Sequence, residues 1–177
     1  MSKKKSHSRF DFKAMSFFFK IRDFFKDPMD KVSKTDVKKG DYILEYGCGP
    51  GSFTIPLAEL VGRFGKVYAA DIHPLSSEKV QEKAEKHDLH NIETIKTECK
   101  TGLEENSIDT VILIDVLHDL EEYEENLKEF HRVLKPHGNL WVDDHHYDLP
   151  VIKQKIANTK LFKFIKRVDS LFEFQKI

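Results

Sequence analysis

At 177 residues, with 40% hydrophobic and 33% charged residues and a formal net charge of −1, the chain has the size and balance of one globular domain. The composition excludes an intrinsically disordered chain, and two cysteines, Cys48 and Cys99, exclude a disulfide framework. No apolar run approaches the roughly 20 residues that span a bilayer, and "MSKKKSHSRF" lacks the apolar core of a secretory signal, so a cytoplasmic location without stable membrane insertion is expected.

The charge is unevenly spread. Residues 1–26 carry +6 and residues 151–177 carry +5, which leaves −12 for the middle. Basic ends suit RNA or anionic membranes; solvated lysines that pair with an acidic centre are the plainer reading. Half of the fourteen phenylalanines lie in the first 25 residues. In "AMSFFFKIRDFF", Ala14, Phe17, Phe18, Ile21, Phe24 and Phe25 follow helical spacing, and Pro28 ends the pattern. Residues 1–30 are therefore a basic segment with a Phe-rich helix, and 31–177 the main domain. Residues 12–26, with Lys20 and Arg22, are expected either to dock on that domain or to cover its ligand crevice.

From residue 41 strands and helices alternate. "DYILEYG" reads as a strand that ends in a glycine loop, and "SFTIPLAELVGRFG" as a helix with Leu57, Leu60, Val61 and Phe64 on one face. "KVYAAD" is a second strand, "SSEKVQEKAEKHD" a helix with a serine cap, and "NIETIKTE" a third strand. "SIDTVILID" has the continuous apolar run of a strand covered on both faces. A helix over 121–135 turns Leu127, Phe130, His131 and Leu134 inward, and "PHG" turns the chain into "NLWVDD". After a short helix near 149–158, "LFKFIKRV" and "LFEFQKI" are joined through Asp169-Ser170, close enough to require a hairpin. The pattern predicts an α/β fold: a doubly wound, mostly parallel seven-stranded sheet with a C-terminal antiparallel hairpin.

In such sheets ligands bind at the carboxyl ends of the strands. The loop "EYGCGPGS" lies at one such end and opens a helix, and Asp71 closes the next strand twenty-four residues after Gly47. An acid in that place accepts hydrogen bonds from ribose hydroxyls. A dinucleotide fingerprint would want glycine at 52, where serine stands. With Glu45 leading Gly47, Gly49 and Gly51, the sequence instead resembles motif I of the class I S-adenosylmethionine-dependent methyltransferases. "AADIHP" and "LKEFHRVLKPHGNLWVDD" extend the resemblance toward the small-molecule "type 11" group, which includes quinone-biosynthesis C-methyltransferases.

The resemblance implies S-adenosyl-L-methionine as cofactor and assigns residues to it. Gly47, Cys48, Gly49 and Gly51 would lie against its methionine part, and Glu45 would meet its ammonium group. Asp71 would hold the ribose, Ile72 would pack on adenine, Glu98 and Cys99 would flank the adenine amino group, and Asp115 could face the sulfonium or amino group.

His118 and the run Asp143, Asp144, His145, His146, Tyr147 follow later strands, and histidine titrates where a general base should. His118 and His146 are the catalytic candidates. No metal site is expected, because adjacent strand residues point to opposite faces and "DDHH" converges only if the strand has ended. A small-molecule methyl acceptor is the expected partner, nucleic acid is not, and the chain is a monomer or a dimer. An NAD-dependent oxidoreductase, an RNA methyltransferase and a non-catalytic cofactor-binding module are the alternatives.

Overall fold

The computed structural model describes residues 27–177. The Phe-rich helix, its Lys20 and Arg22, and the expectation that it covers a crevice lie outside the described residues. Pro28 opens a short helix, α1 (Pro28–Val32), whose first amides are met by the Asp27 carboxylate through Met29 N at 2.9 Å. Val32, at the end of this helix, is fully buried in the apolar cluster on one face of the sheet.

Seven strands form one sheet: β1 (Tyr42–Tyr46), β2 (Lys66–Asp71), β3 (Ile92–Lys96), β4 (Ile108–Ile114), β5 (Leu134–Asp143), β6 (Phe162–Val168) and β7 (Leu171–Lys176). Their order is β3-β2-β1-β4-β5-β7-β6. The first five are parallel; β7 runs antiparallel to both β5 and β6. The sequence-based architecture is therefore correct; the two-residue connection, with Asp169 at φ 53°, returns β7 beside β6, and β7 also pairs with β5, so it lies between them.

The strand alternation of period two sorts side chains between two cores. Leu44, Val111, Leu113, Leu140 and Val142 face helices α4 (Tyr123–Val133) and α5 (Leu149–Ala157), where Leu127, Phe130, Ile152 and Ile156 are fully buried. Ile43, Val67, Ile112 and Trp141 point the other way, against Leu57, Ala58 and Val61 of α2 (Thr54–Val61) and Val32 of α1. Helix α3 (Pro74–Lys86) sends Val80 against Cys48 and Ala69.

Three local expectations need correction. Phe64 is 76% exposed, because α2 stops at Gly62, whose φ of 66° ends the helix before the next apolar position comes round. Helix α3 starts at Pro74 with His73 as its cap; the His73 ring accepts from Leu75 N, and Ser76 is buried within the helix. "PHG" is not a turn before β5 but an irregularity inside it: the register jumps between the Ile108–Leu134 and Thr110–Asn139 pairs, with His137 at φ 64°.

Candidate active site

The winding reverses between β1 and β4, and the loops after these two strands sit side by side. Gly47, at φ 79°, lies so close to Val116 that an added Cβ would fall 2.2 Å from its Cγ2. Glycine is required there for two reasons at once, the left-handed backbone and the absence of room. Gly47 and Cys48 amides donate to Ala70 O at 2.7 and 3.1 Å, which ties the loop to the tip of β2. Gly49 and Gly51 are also left-handed, at φ 51° and 79°.

Asp71 holds the loop from the other side. Its carboxylate accepts from Gly49 N at 2.8 Å and from His73 N at 2.7 Å, so each oxygen carries one backbone bond and retains acceptor capacity. Ile72, beside it, is an exposed apolar side chain at the end of β2. Glu45 is buried behind the loop, where Thr54 Oγ1 donates to its Oε2 at 2.5 Å. Burial pushes the Glu45 carboxyl up to about 8, and the Thr54 hydrogen bond only partly offsets this. Cys48 packs its sulfur against Ala69 and Val80, and burial raises its thiol well above the usual range; it offers a ligand its backbone, not its side chain.

The segment after β3 is fastened by α4. Asn126 Nδ2 donates to Tyr46 Oη at 2.9 Å and to Glu98 O at 3.3 Å. Glu129 accepts from Thr101 N and Oγ1 at 2.9 and 2.6 Å and is paired with Arg132. Those Arg132 hydrogen bonds bring the Glu129 carboxyl down to about 2. Glu98 is exposed and Cys99 half-buried, and the Cys99 amide donates to Thr97 Oγ1 at 3.1 Å.

The ends of β4 and β5 meet in a cluster around Asp144. Its side chain has no exposed surface and accepts from the amides of His118 and His146, both at 3.0 Å. His118 Nδ1 lies 2.9 Å from Oδ2, and the His118 and His146 rings lie 3.8 Å apart between centroids, tilted by 38°. Burial works against ionisation of Asp144, but the hydrogen bonds from His118 and the two amides outweigh it and hold its carboxyl below the usual value. Asp115, at φ 56°, pairs with His145 Nδ1 at 2.7 Å, which raises the His145 pKa.

Asp143 points away from this cluster, to Lys31 Nζ and to Ser170 Oγ at 2.8 Å. The alternation argument thus holds for Asp143 against Asp144. It fails beyond, because β5 ends at Asp143: Asp144, His145 and His146 sit in a turn and converge with His118 and Asp115. Tyr147 belongs to the core beneath. Thr54, Val116 and the hub role of Asp144 were not legible in the sequence, since each is defined by a partner far along the chain.

Residues 37–174 match the sequence profile of a methyltransferase-domain family. The chain belongs to that family. Among its relatives, the demethylmenaquinone methyltransferase of Geobacillus stearothermophilus is 36% identical over 110 residues, 62% of this chain and 47% of that protein. The protein of the same name from Listeria welshimeri is 33% identical over 120 residues, 67% of this chain and 51% of that one. The chain thus spans about half the length of the curated relatives it matches. A S-adenosylmethionine-dependent methyltransferase from Aquifex aeolicus superposes with a TM-score of 0.75 at 25% identity, covering 85% of this chain and 88% of that one. A Methanococcus maripaludis protein of the same described class reaches 0.81 at 14% identity, with 99% and 95% covered, which speaks for the fold alone. Among the described residues no helix is long and apolar enough to cross a membrane.

Proposed function

We propose that this chain binds S-adenosyl-L-methionine and transfers its methyl group to a small-molecule acceptor. The observation that carries the reading is the buried Glu45 carboxyl at the root of a left-handed glycine loop, with Thr54 as its side-chain donor. A carboxyl pushed up to about 8 by burial ionises readily only beside a cation, and the ammonium of the cofactor's methionine part is such a cation. Gly47, the Cys48 backbone, Gly49 and Gly51 line the approach; Asp71 has acceptor capacity left for ribose hydroxyls, and exposed Ile72 offers adenine an apolar face. Glu98 and Cys99 stand at the adenine edge, and Asp115 closes the site from β4.

When bound, the cofactor supplies an electrophilic methyl group on a sulfonium. The chain's own contribution is alignment and proton handling. Alignment alone can supply effective molarities of roughly 10⁵ M or more. His118, held through Nδ1 by buried Asp144, keeps its ring in a fixed orientation, and the tilted His146 ring lies against it. Both are assigned to face the acceptor and to take its proton where it arrives protonated. The names of the Geobacillus and Listeria relatives make a demethylated quinol the first acceptor to assay.

Isothermal titration of the full chain with S-adenosylmethionine tests the first step. Saturable binding that is lost in Gly49→Val is expected. No heat at millimolar cofactor, or tight binding of NADH in a fluorescence titration instead, would overturn the proposal.

A further inference from the structure

We propose that His118, Asp144 and His146 form a binding site for a divalent transition-metal ion of the zinc or cobalt type. One ligand atom from each of the three residues lies within 4.8 Å of those of the other two. Each imidazole is closer to the carboxylate than that limit. His118 Nδ1 is 2.9 and 3.1 Å from the two Asp144 oxygens, and His146 Nδ1 is 3.5 Å from Oδ1. Two donors bound about 2.1 Å from one ion, at angles of roughly 90–110°, lie about 3.0–3.4 Å apart. Each imidazole therefore already stands near ligand-to-ligand distance from the carboxylate.

Charge points the same way. Asp144 has no exposed side-chain surface, yet among the described residues its ion-pair partners are the two histidines rather than a lysine or arginine. Two backbone amides, from His118 and His146, fix the carboxylate's orientation, which is the kind of support that metal-binding carboxylates receive. The His118 and His146 side chains are 21% and 50% exposed, so an ion reaches the buried oxygen from solvent. Two imidazoles and one carboxylate suit borderline ions over magnesium or calcium, and three protein ligands leave a position open for an exogenous oxygen.

An ion at His118 Nδ1 replaces the hydrogen bond between Nδ1 and Asp144, so the ring-holding contact assigned above describes the ion-free protein. Asp115 and His145 form a second grouping through the same Asp144, but it offers one imidazole and two carboxylates, a donor set less suited to a borderline ion than two imidazoles and one carboxylate.

The inference is tested without cofactor, so its failure and that of the transferase reading are separable. The untagged full chain, stripped with chelator, is titrated with cobalt(II) and followed by ligand-field absorption; zinc affinity is then read by competition with a chromophoric chelator. One ion per chain is expected, with affinity reduced tenfold or more in His118→Ala and His146→Ala and unchanged in His145→Ala and in the exposed-surface control His90→Ala. Circular dichroism checks that each variant folds. Should His118→Ala unfold, His146→Ala, whose side chain is half exposed, carries the test. Absorption like that of the free ion up to millimolar cobalt, binding unchanged in His146→Ala, or loss in His145→Ala alone would overturn the assignment.

Discussion

Replacing Glu45 by glutamine should stabilise the cofactor-free protein while weakening its hold on cofactor. The side chain is buried, and burial pushes its carboxyl up to about 8, against 4.5 for the ordinary group. Between those two values the folded protein keeps a proton that the unfolded chain has released. Stability therefore falls as pH rises through that window, by about 1.4 kcal/mol per pH unit. At pH 7 the accumulated loss is about 3 kcal/mol as a ceiling, since local opening of the loop relieves part of it. Glutamine has no proton to lose and keeps a carbonyl oxygen for the Thr54 hydroxyl. For a chain of this size a gain of about 3 kcal/mol corresponds to a rise of roughly 6–12 °C in Tm. Thermal melts of both proteins at pH 5, 7 and 8 should show a gap that widens with pH. The variant should also bind S-adenosylmethionine at least tenfold more weakly, because a charge-assisted contact is worth about 1.5–3 kcal/mol. A gap independent of pH, or a lower Tm for the variant at pH 7, would refute the reasoning.

Asp71→Ala removes the acceptor of both the Gly49 and His73 amides, so cofactor affinity should fall tenfold or more, and hydrogen exchange at Gly49 should speed up; an unchanged dissociation constant in a folded variant removes Asp71 from the site. Gly47→Ala places a Cβ 2.2 Å from Val116 Cγ2 on a left-handed backbone and should cost about 1–3 kcal/mol in a denaturant melt. The double change with Val116→Ala should recover only the steric part. Glu129→Gln weakens the Arg132 pair and the Thr101 bonds, with an expected loss of about 1.5–3 kcal/mol at neutral pH. Because the Glu129 carboxyl is held down to about 2, that contribution is present above the ordinary 4.5 and fades as pH falls toward 2; melts of the two proteins should therefore converge in acid.

The fold was legible because it depends on local pattern. Short apolar runs such as "YILEY" and "TVILI" already read as strands covered on both faces, and a two-residue link between apolar runs already demands a hairpin. The glycine loop and Asp71 were legible for a similar reason: strand, loop, helix and acid follow one another at short range along the chain. What the pattern misjudged depended on where an element stops. Phe64 continues the helical spacing, but Gly62 ends α2 first; His145 would alternate away from Asp144 and His146, but β5 ends at Asp143 and the run turns instead. Only the tertiary structure could decide that Val116 leaves no room at Gly47, that Glu45 is dry enough to hold its proton at neutral pH, and that Asp144 gathers His118 and His146. Burial and approach between distant residues are properties of the packed whole. The sequence by itself determined which chemical groups stand at the strand tips; packing decided which of them meet and which carry charge.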